Sequence, residues 1–151
     1  MQYDKLIFVC TGNTCRSPMA EAIYNRMEDV KNMEVASRGI IVLFPEPANP
    51  KACAVMKNND LSIDDHTAAP LVSEDITDHT LIITMTEKQR QHVLENYEKA
   101  NEVYTIKEFV GLDGDVVDPY GGTLLDYEDC FNELSQLVKK TIYQLHEEDD
   151  Q

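Results

Sequence analysis

The apolar run Leu6-Ile7-Phe8-Val9 is followed at once by Cys10-Thr11-Gly12-Asn13-Thr14-Cys15-Arg16-Ser17-Pro18. The fold class can be predicted from this junction. A short run of purely apolar residues predicts a strand that is buried on both faces, as in a parallel sheet. Ser17 followed by Pro18 is typical of a helix cap with proline at the first helical position. The residues between form a predicted loop beyond a strand end, where α/β proteins bind ligands.

Further along the chain, apolar runs alternate with stretches of helical spacing. The later strands are predicted at 34–37, 81–85 and 102–106, and the helices at about 18–30, 52–57, 87–98 and 127–145. This alternation favours a parallel sheet with helices on both faces. Residues 40–50 contain three prolines and are predicted to be a loop. We therefore expect a single α/β domain over residues 1–151, in which 147–151 form an acidic, frayed tail.

Composition narrows the classes of function. Lys and Arg total 13 against 28 Asp and Glu, and the formal charge of -15 repels nucleic acid. No apolar run approaches the roughly 18 residues that a membrane-spanning helix needs. The chain begins without a basic leader, and its four cysteines lack the density of a disulfide scaffold. We expect a cytoplasmic protein with reduced thiols and with neither nucleic acid nor membrane as a partner.

The loop after the first strand has the chemistry that a phosphoryl group requires. Gly12 lets successive backbone N–H groups turn inward, where they add to the positive end of the following helix. Arg16 offers a planar fork for two phosphate oxygens. The same field would stabilise the thiolate of Cys10, which attacks phosphorus directly. A strand-end cysteine alone would be a packing residue, but Cys-x5-Arg-Ser at this position favours catalysis.

A general acid is needed to protonate the leaving group when a phosphocysteine forms. The best candidate is Asp118, in the segment Val117-Asp118-Pro119-Tyr120-Gly121-Gly122. Pro119 favours an extended backbone at Asp118, and the two glycines allow a tight loop. Taken alone, the segment could be a simple turn. In combination with the first motif, it predicts that Asp118 donates a proton and later activates water.

These two motifs together resemble the low-molecular-weight protein-tyrosine-phosphatase family. The resemblance covers nearly the whole chain, including the mid-chain strand that ends in Met85 and the terminal helix. It implies an open parallel four-stranded sheet of order 2-1-3-4, with the phosphate loop after strand 1. It also implies Cys10 as the nucleophile, Arg16 as the phosphate ligand and Asp118 as the general acid and base, as the residues themselves suggest.

The resemblance adds further site residues. Phosphate would be bound by Thr11, Gly12, Asn13, Thr14, Cys15, Arg16 and Ser17. A hydrogen-bond network that holds the loop, with the Ser17 hydroxyl supporting the thiolate, would consist of Asn13, Ser17, Ser37 and His66. Cys15 would be a redox partner, because relatives with this second cysteine form a reversible disulfide with the nucleophile. The alternatives are a packing role for Cys15 and a surface position for His66.

Two features concern the substrate. Tyr120 on one side and Leu43 or Phe44 on the other are predicted to wall the pocket, but an aromatic wall suits phosphotyrosine and a guanidinium alike. Thr14 is more informative, because many tyrosine-specific relatives carry Ile or Leu there, whereas this loop resembles that of the bacterial protein arginine phosphatases. We expect phosphoarginine, with phosphotyrosine as the alternative. Thr86 stands where many relatives have Asp, which leaves the support of Arg16 open.

Competing functions fit the residues less well. Arsenate reductases share the implied fold, but the two further cysteines that they require are missing from residues 80–95. A phosphocysteine carrier would need no acid such as Asp118. The Cys-x4-Cys spacing has no second ligand pair for zinc. We therefore expect phosphorylated proteins as substrates, no metal or cofactor, and a monomer or weak dimer.

Overall fold

The apolar run near the start of the chain forms the centre of a parallel sheet in the computed structural model, which describes residues 3–149. The strands are β1 (Lys5–Cys10), β2 (Glu34–Gly39), β3 (Thr80–Thr84) and β4 (Glu102–Thr105). They lie side by side in the order β2-β1-β3-β4, and each neighbouring pair is parallel. The expected order 2-1-3-4 is confirmed.

Helices cover both faces of this sheet, as predicted. They are α1 (Arg16–Met27), α2 (Pro50–Asn58), α3 (Glu87–Asn96), α4 (Ile106–Phe109) and α5 (Leu124–Asp149), and a 3-10 turn forms at Ser73–Asp75. Leu6 and Phe8 pack into the larger core with α1, α2 and α5, whereas Ile7 and Val9 pack into a smaller core with Val93 of α3. This alternation of side chains is the two-residue period of a strand.

The start of α1 differs from the prediction. The helix begins at Arg16, and the Met19 amide already donates to the Cys15 carbonyl at 3.1 Å. Pro18 therefore lies at the third helical position, where a missing N–H costs nothing because the first four N–H groups have no partner within the helix. Ser17 is not a cap but a fully buried residue of the first turn, so its hydroxyl is available to the loop.

Other boundaries also differ from the prediction. β4 ends at Thr105, not at residue 106, because the Thr105 hydroxyl accepts a hydrogen bond from the Glu108 amide at 3.0 Å and caps α4. α3 ends at Asn96, not at residue 98. Residues 147–149 continue α5, and His146 in its last turns lies 2.7 Å from Glu28 Oε2, whereas the fraying of the tail stays a prediction. Residues 150–151 lie outside the described part of the chain.

The register of the strands brings three strand ends together. Cys10 lies opposite Gly39 of β2, and Val9 lies opposite Thr84 of β3. A Cβ atom on Gly39 would lie 2.9 Å from the carbonyl oxygen of Thr11, so the close approach of the loop to β2 requires glycine. Among the helices within residues 3–149, none has the length and apolar character that crossing a membrane requires.

Candidate active site

Cys10 is the last residue of β1, and its sulfur lies 2.9 Å from the Ser17 hydroxyl oxygen. Both residues are buried. The Ser17 oxygen already accepts a hydrogen bond from Asn13 Nδ2 at 2.8 Å, so the serine hydrogen is free to point at the sulfur. The Arg38 carbonyl, at 3.5 Å, is a more distant acceptor for that hydrogen. This geometry suits a thiolate, because a hydroxyl that donates to sulfur stabilises its negative charge.

Asn13 is the hub of the predicted network. Its Nδ2 also donates to the Ser37 hydroxyl at 3.0 Å, and its Oδ1 accepts from the Ala69 amide at 2.9 Å. Its backbone carbonyl lies 2.7 Å from His66 Nε2. The backbone φ of Asn13 is +57°, in the left-handed region that asparagine tolerates better than most residues. The structure thus brings Asn13, Ser17, Ser37 and His66 together beneath the loop.

Arg16 is buried and reaches two groups of the loop that carries Asp118. Its Nη1 donates to the Val116 carbonyl at 2.8 Å, and its Nη2 lies 3.5 Å from Asp118 Oδ2. The Val116 amide in turn donates to the Met85 carbonyl at 2.9 Å, beyond the end of β3. Val116 therefore supplies the support of Arg16 that the sequence left open. Thr86 instead caps α3 by accepting from the Gln89 amide at 3.1 Å.

The segment around Asp118 is a turn that is stabilised by hydrogen bonds within it and from α2. Asp118 Oδ1 accepts from the Tyr120 amide at 3.0 Å, and the Gly122 amide donates to the Pro119 carbonyl at 2.8 Å. From α2, Lys51 Nζ donates to the Gly122 carbonyl at 2.5 Å. The Asp118 side chain is 48% exposed, so it is open to a substrate while it faces Arg16.

The predicted pocket walls stand in solvent. Tyr120 is 78% exposed and lines a cavity together with Asp118, whereas Leu43 and Phe44 are 87% and 60% exposed. Their role as walls stays a prediction. Thr14 is half-buried, and its carbonyl accepts from the Asn49 amide at 2.8 Å, so the cap of α2 holds this part of the loop.

Cys15 packs against α1. It is buried, and its thiol donates to Met19 Sδ at 3.8 Å. A hydrogen bond with the neighbouring Cys130, together with burial, raises the pKa of Cys15 and keeps it a neutral thiol. These contacts fit a packing role. Cys10 and Cys15 are both free in the structure, and a disulfide between them stays a prediction.

Some residues of the site were not found from the sequence. Val116 and Asn49 act through backbone groups, for which residue type gives no signal. Gln89 had one, since Thr86-x-x-Gln89 is the spacing of a capping box. Within residues 3–149, no cluster of His, Cys, Asp and Glu side chains is placed to hold a metal ion.

Comparisons with known proteins agree with this geometry. A model of the family described as low molecular weight phosphotyrosine protein phosphatase matches residues 5–151. The chain is 35% identical over 136 residues to the low molecular weight protein-tyrosine-phosphatase PtpB of Staphylococcus haemolyticus, covering 90% of this chain and 96% of the relative. It is 35% identical over 144 residues to the protein-arginine-phosphatase of Bacillus subtilis, covering 93% and 95%.

A solved structure of a similar phosphatase has the same fold as this chain. The low molecular weight protein tyrosine phosphatase from T. tengcongensis superposes with a TM-score of 0.87 at 41% identity, over 92% of this chain and 97% of that one. Similarity over nearly the full length of such enzymes shows that this protein is a cysteine-dependent phosphatase. More closely, it belongs to the low molecular weight phosphotyrosine protein phosphatase family.

Proposed function

We propose that this phosphatase hydrolyses phosphorylated protein side chains in two steps, through a phosphocysteine on Cys10. The observation that carries the proposal is the distance of 2.9 Å between the Cys10 sulfur and a Ser17 hydroxyl that already accepts from Asn13. The hydroxyl hydrogen supports the thiolate, and the positive end of α1 adds to this support. The thiolate is the form of cysteine that attacks phosphorus.

In the first step, the Cys10 thiolate attacks phosphorus in line with the leaving group. The S–P bond forms as the P–O or P–N bond of the substrate breaks, while Arg16 and the backbone N–H groups of the loop bind the equatorial oxygens. Asp118 gives its proton to the departing oxygen or nitrogen. Its position supports this role, because the side chain is half exposed and lies beside Arg16, the proposed phosphate ligand, at 3.5 Å.

In the second step, water attacks the phosphocysteine. Asp118, now a carboxylate, takes a proton from the water, the S–P bond breaks, and inorganic phosphate leaves as the thiolate returns. A similar arginine phosphatase supports a covalent intermediate. It is 34% identical to this chain with a TM-score of 0.88, and its structure is of a Cys-to-Ser mutant with a phosphorylated active-site serine.

Phosphoarginine is the substrate that we propose. Thr14 presents a hydroxyl in the middle of the loop, where Ile or Leu would be apolar. A hydroxyl is able to bond a guanidinium N–H that phosphotyrosine lacks, and sites that hydrogen-bond their substrate discriminate well. The similarity to protein-arginine-phosphatases from Bacillus subtilis and Geobacillus stearothermophilus, at 35% and 34% identity, supports this choice.

Phosphotyrosine is the second candidate. Tyr120 next to Pro119 offers an exposed aromatic ring beside the acid, and such a ring stacks on a phenyl group. The 41% identical structure from T. tengcongensis is named a protein tyrosine phosphatase. The two substrates differ in the leaving atom, nitrogen or oxygen, and both need the same nucleophile and acid.

The test of substrate is a comparison of kcat/KM on matched phosphoarginine and phosphotyrosine peptides for the wild type and Thr14→Ile. The wild type should prefer phosphoarginine, and Thr14→Ile should shift the preference towards phosphotyrosine by about tenfold or more. Thr14→Ser, which keeps the hydroxyl, is the matched control and should behave as the wild type. A wild type that prefers phosphotyrosine would instead establish the second candidate.

The test of mechanism uses two aryl phosphates that differ in leaving group. Cys10→Ser should abolish turnover of both. Asp118→Asn should slow phenyl phosphate by roughly 100-fold or more, and 4-nitrophenyl phosphate much less, because a good leaving group needs little protonation. Asp113→Asn, on an exposed carboxylate of the preceding loop, is the control and should leave both rates unchanged. An equal loss of rate on the two esters would show that Asp118 is not the general acid.

A further inference from the structure

Gln89 in the first turn of α3 has a side-chain amide whose orientation is fixed by the backbone. It is 5% exposed, and its Oε1 accepts from the amides of Met85 and Thr86, each at 3.0 Å. Because the amide oxygen is committed to these two donors, the NH₂ group must point the other way. There, Nε2 donates to the Thr11 hydroxyl oxygen at 3.0 Å.

This bond determines what the Thr11 hydroxyl has left to offer. Thr11 follows the nucleophile, is exposed, and lines a cavity together with Arg16 and Asp118. Its oxygen accepts from Gln89, so its hydrogen must be donated elsewhere. Within residues 3–149, no protein group accepts that hydrogen, so it is available to solvent and to an occupant of the cavity.

The backbone of Thr11 is held independently of its side chain. Its carbonyl accepts from the Ile41 amide at 2.9 Å, in the loop that follows β2. Gln89 is therefore not required to keep the main chain of the loop in place. What its side chain adds is the direction of one hydroxyl next to the nucleophile.

We propose that Gln89 is a positioning residue of the phosphatase site, which holds Thr11 as a hydrogen-bond donor to an oxygen of the bound phosphoryl group. The proposal rests on the proposed function, since it needs phosphate in the loop beside Cys10. Gln89 acts through Thr11 and does not touch the substrate. Thr11 makes the contact in both the ground state and the transition state, so its loss should raise KM more than it lowers kcat.

The experiment is a double-mutant cycle on Gln89 and Thr11. Gln89→Glu keeps an oxygen for the amides of Met85 and Thr86, but its second oxygen is able only to accept. Thr11 must then turn its hydrogen towards Glu and away from phosphate. The measured quantities are KM and kcat for 4-nitrophenyl phosphate and the inhibition constant of inorganic phosphate. Gln91→Glu, an exposed position on the same helix, controls for the added charge.

We expect Gln89→Glu and Thr11→Val each to raise the inhibition constant of phosphate about tenfold, as for one lost charge-assisted hydrogen bond. In the Thr11→Val background, Gln89→Glu should add less than about threefold, because the shared donor is already gone. Gln91→Glu should change the constant less than about twofold, since an exposed charge is well screened.

Other outcomes would overturn the inference. If Gln89→Glu costs the same factor with and without the Thr11 hydroxyl, its effect is one of charge or stability alone. If Gln89→Glu does not fold, Thr11→Ser and Thr11→Val still test whether the Thr11 hydroxyl donates to phosphate. The serine variant should match the wild type, and a valine variant with unchanged phosphate inhibition would refute the proposal. A wild type that is inactive on 4-nitrophenyl phosphate and on both phosphopeptides, or an active Cys10→Ser, would instead refute the proposed function.

Discussion

Replacing Asn13 with alanine should both unfold the protein more easily and remove most of its activity. The side chain is fully buried and makes three hydrogen bonds, to Ser17, Ser37 and the Ala69 amide. At about 1 kcal/mol for each bond, their loss destabilises the fold by about 3 kcal/mol. The left-handed backbone at this position adds roughly 1 kcal/mol, because alanine is disfavoured there. The expected total is about 4 kcal/mol.

Urea denaturation followed by circular dichroism measures this free energy of unfolding, and thermal denaturation gives a second readout. A loss of about 4 kcal/mol corresponds to a Tm lower by about 10 °C for a chain of this size. Asn13→Gly loses the same three bonds but not the backbone preference, so it should be roughly 1 kcal/mol more stable than the alanine variant. Asn58→Ala, on the exposed end of α2, is the matched control and should change little.

Activity separates the network from general stability. Without Asn13, the Ser17 hydroxyl loses its donor and is no longer directed at the Cys10 sulfur, so kcat on 4-nitrophenyl phosphate should fall at least tenfold at a temperature where the variant is folded. A free energy of unfolding within about 1 kcal/mol of the wild-type value would refute the expected contribution of the three hydrogen bonds. A fully folded variant with unchanged kcat would refute the link from Asn13 through Ser17 to the nucleophile.

Three further predictions concern the same site. Gly39→Ala should lower kcat on an aryl phosphate by about tenfold, since its Cβ would lie 2.9 Å from the Thr11 carbonyl and must displace the loop; an unchanged kcat would contradict this. Lys51→Ala should lower kcat about threefold, because the Gly122 carbonyl loses its hydrogen bond from Lys51. Lys57→Ala on the same helix should leave kcat unchanged. Equal effects of the two substitutions would contradict a role for this hydrogen bond. The raised pKa of Cys15 means that the folded protein holds a proton that the unfolded chain releases. Stability should therefore fall as pH rises above the ordinary thiol pKa of about 8.5, and Cys15→Ala should show a smaller fall between thermal melts at neutral and alkaline pH; equal falls would refute this.

The sequence was sufficient for the parts of the fold that depend on local pattern. A buried strand, a loop and a helix around Cys10 follow from residue types within a short window, and so does the alternation that makes the sheet parallel. The boundaries were less certain because caps decide them. At Thr105, the strand ends and a helix begins where the threonine hydroxyl accepts a hydrogen bond from the Glu108 amide. The spacing of apolar residues carries no information about such a bond.

The site was predictable where its side chains carry their own chemical signature. Cys10, Arg16 and Asp118 are residue types that phosphoryl chemistry demands, so spacing and context were enough to propose them as catalytic residues, and these roles stay predictions. Asn13, Ser17, Ser37 and His66 came from the family resemblance, because their sequence spacing shows no proximity. Contacts through backbone groups were out of reach, since every residue carries the same amide and carbonyl.

Val116 shows why such backbone contacts matter for the chemistry. Its amide bonds the Met85 carbonyl beyond β3, and its carbonyl accepts from Arg16. The first bond fixes Val116 to the sheet, and the second fixes Arg16 to Val116. Asp118 lies only two residues further on, 3.5 Å from Arg16, so Arg16 contacts this short segment at both residues. Val116 thus connects the two side chains that we propose as acid and phosphate ligand, although they are far apart in the sequence.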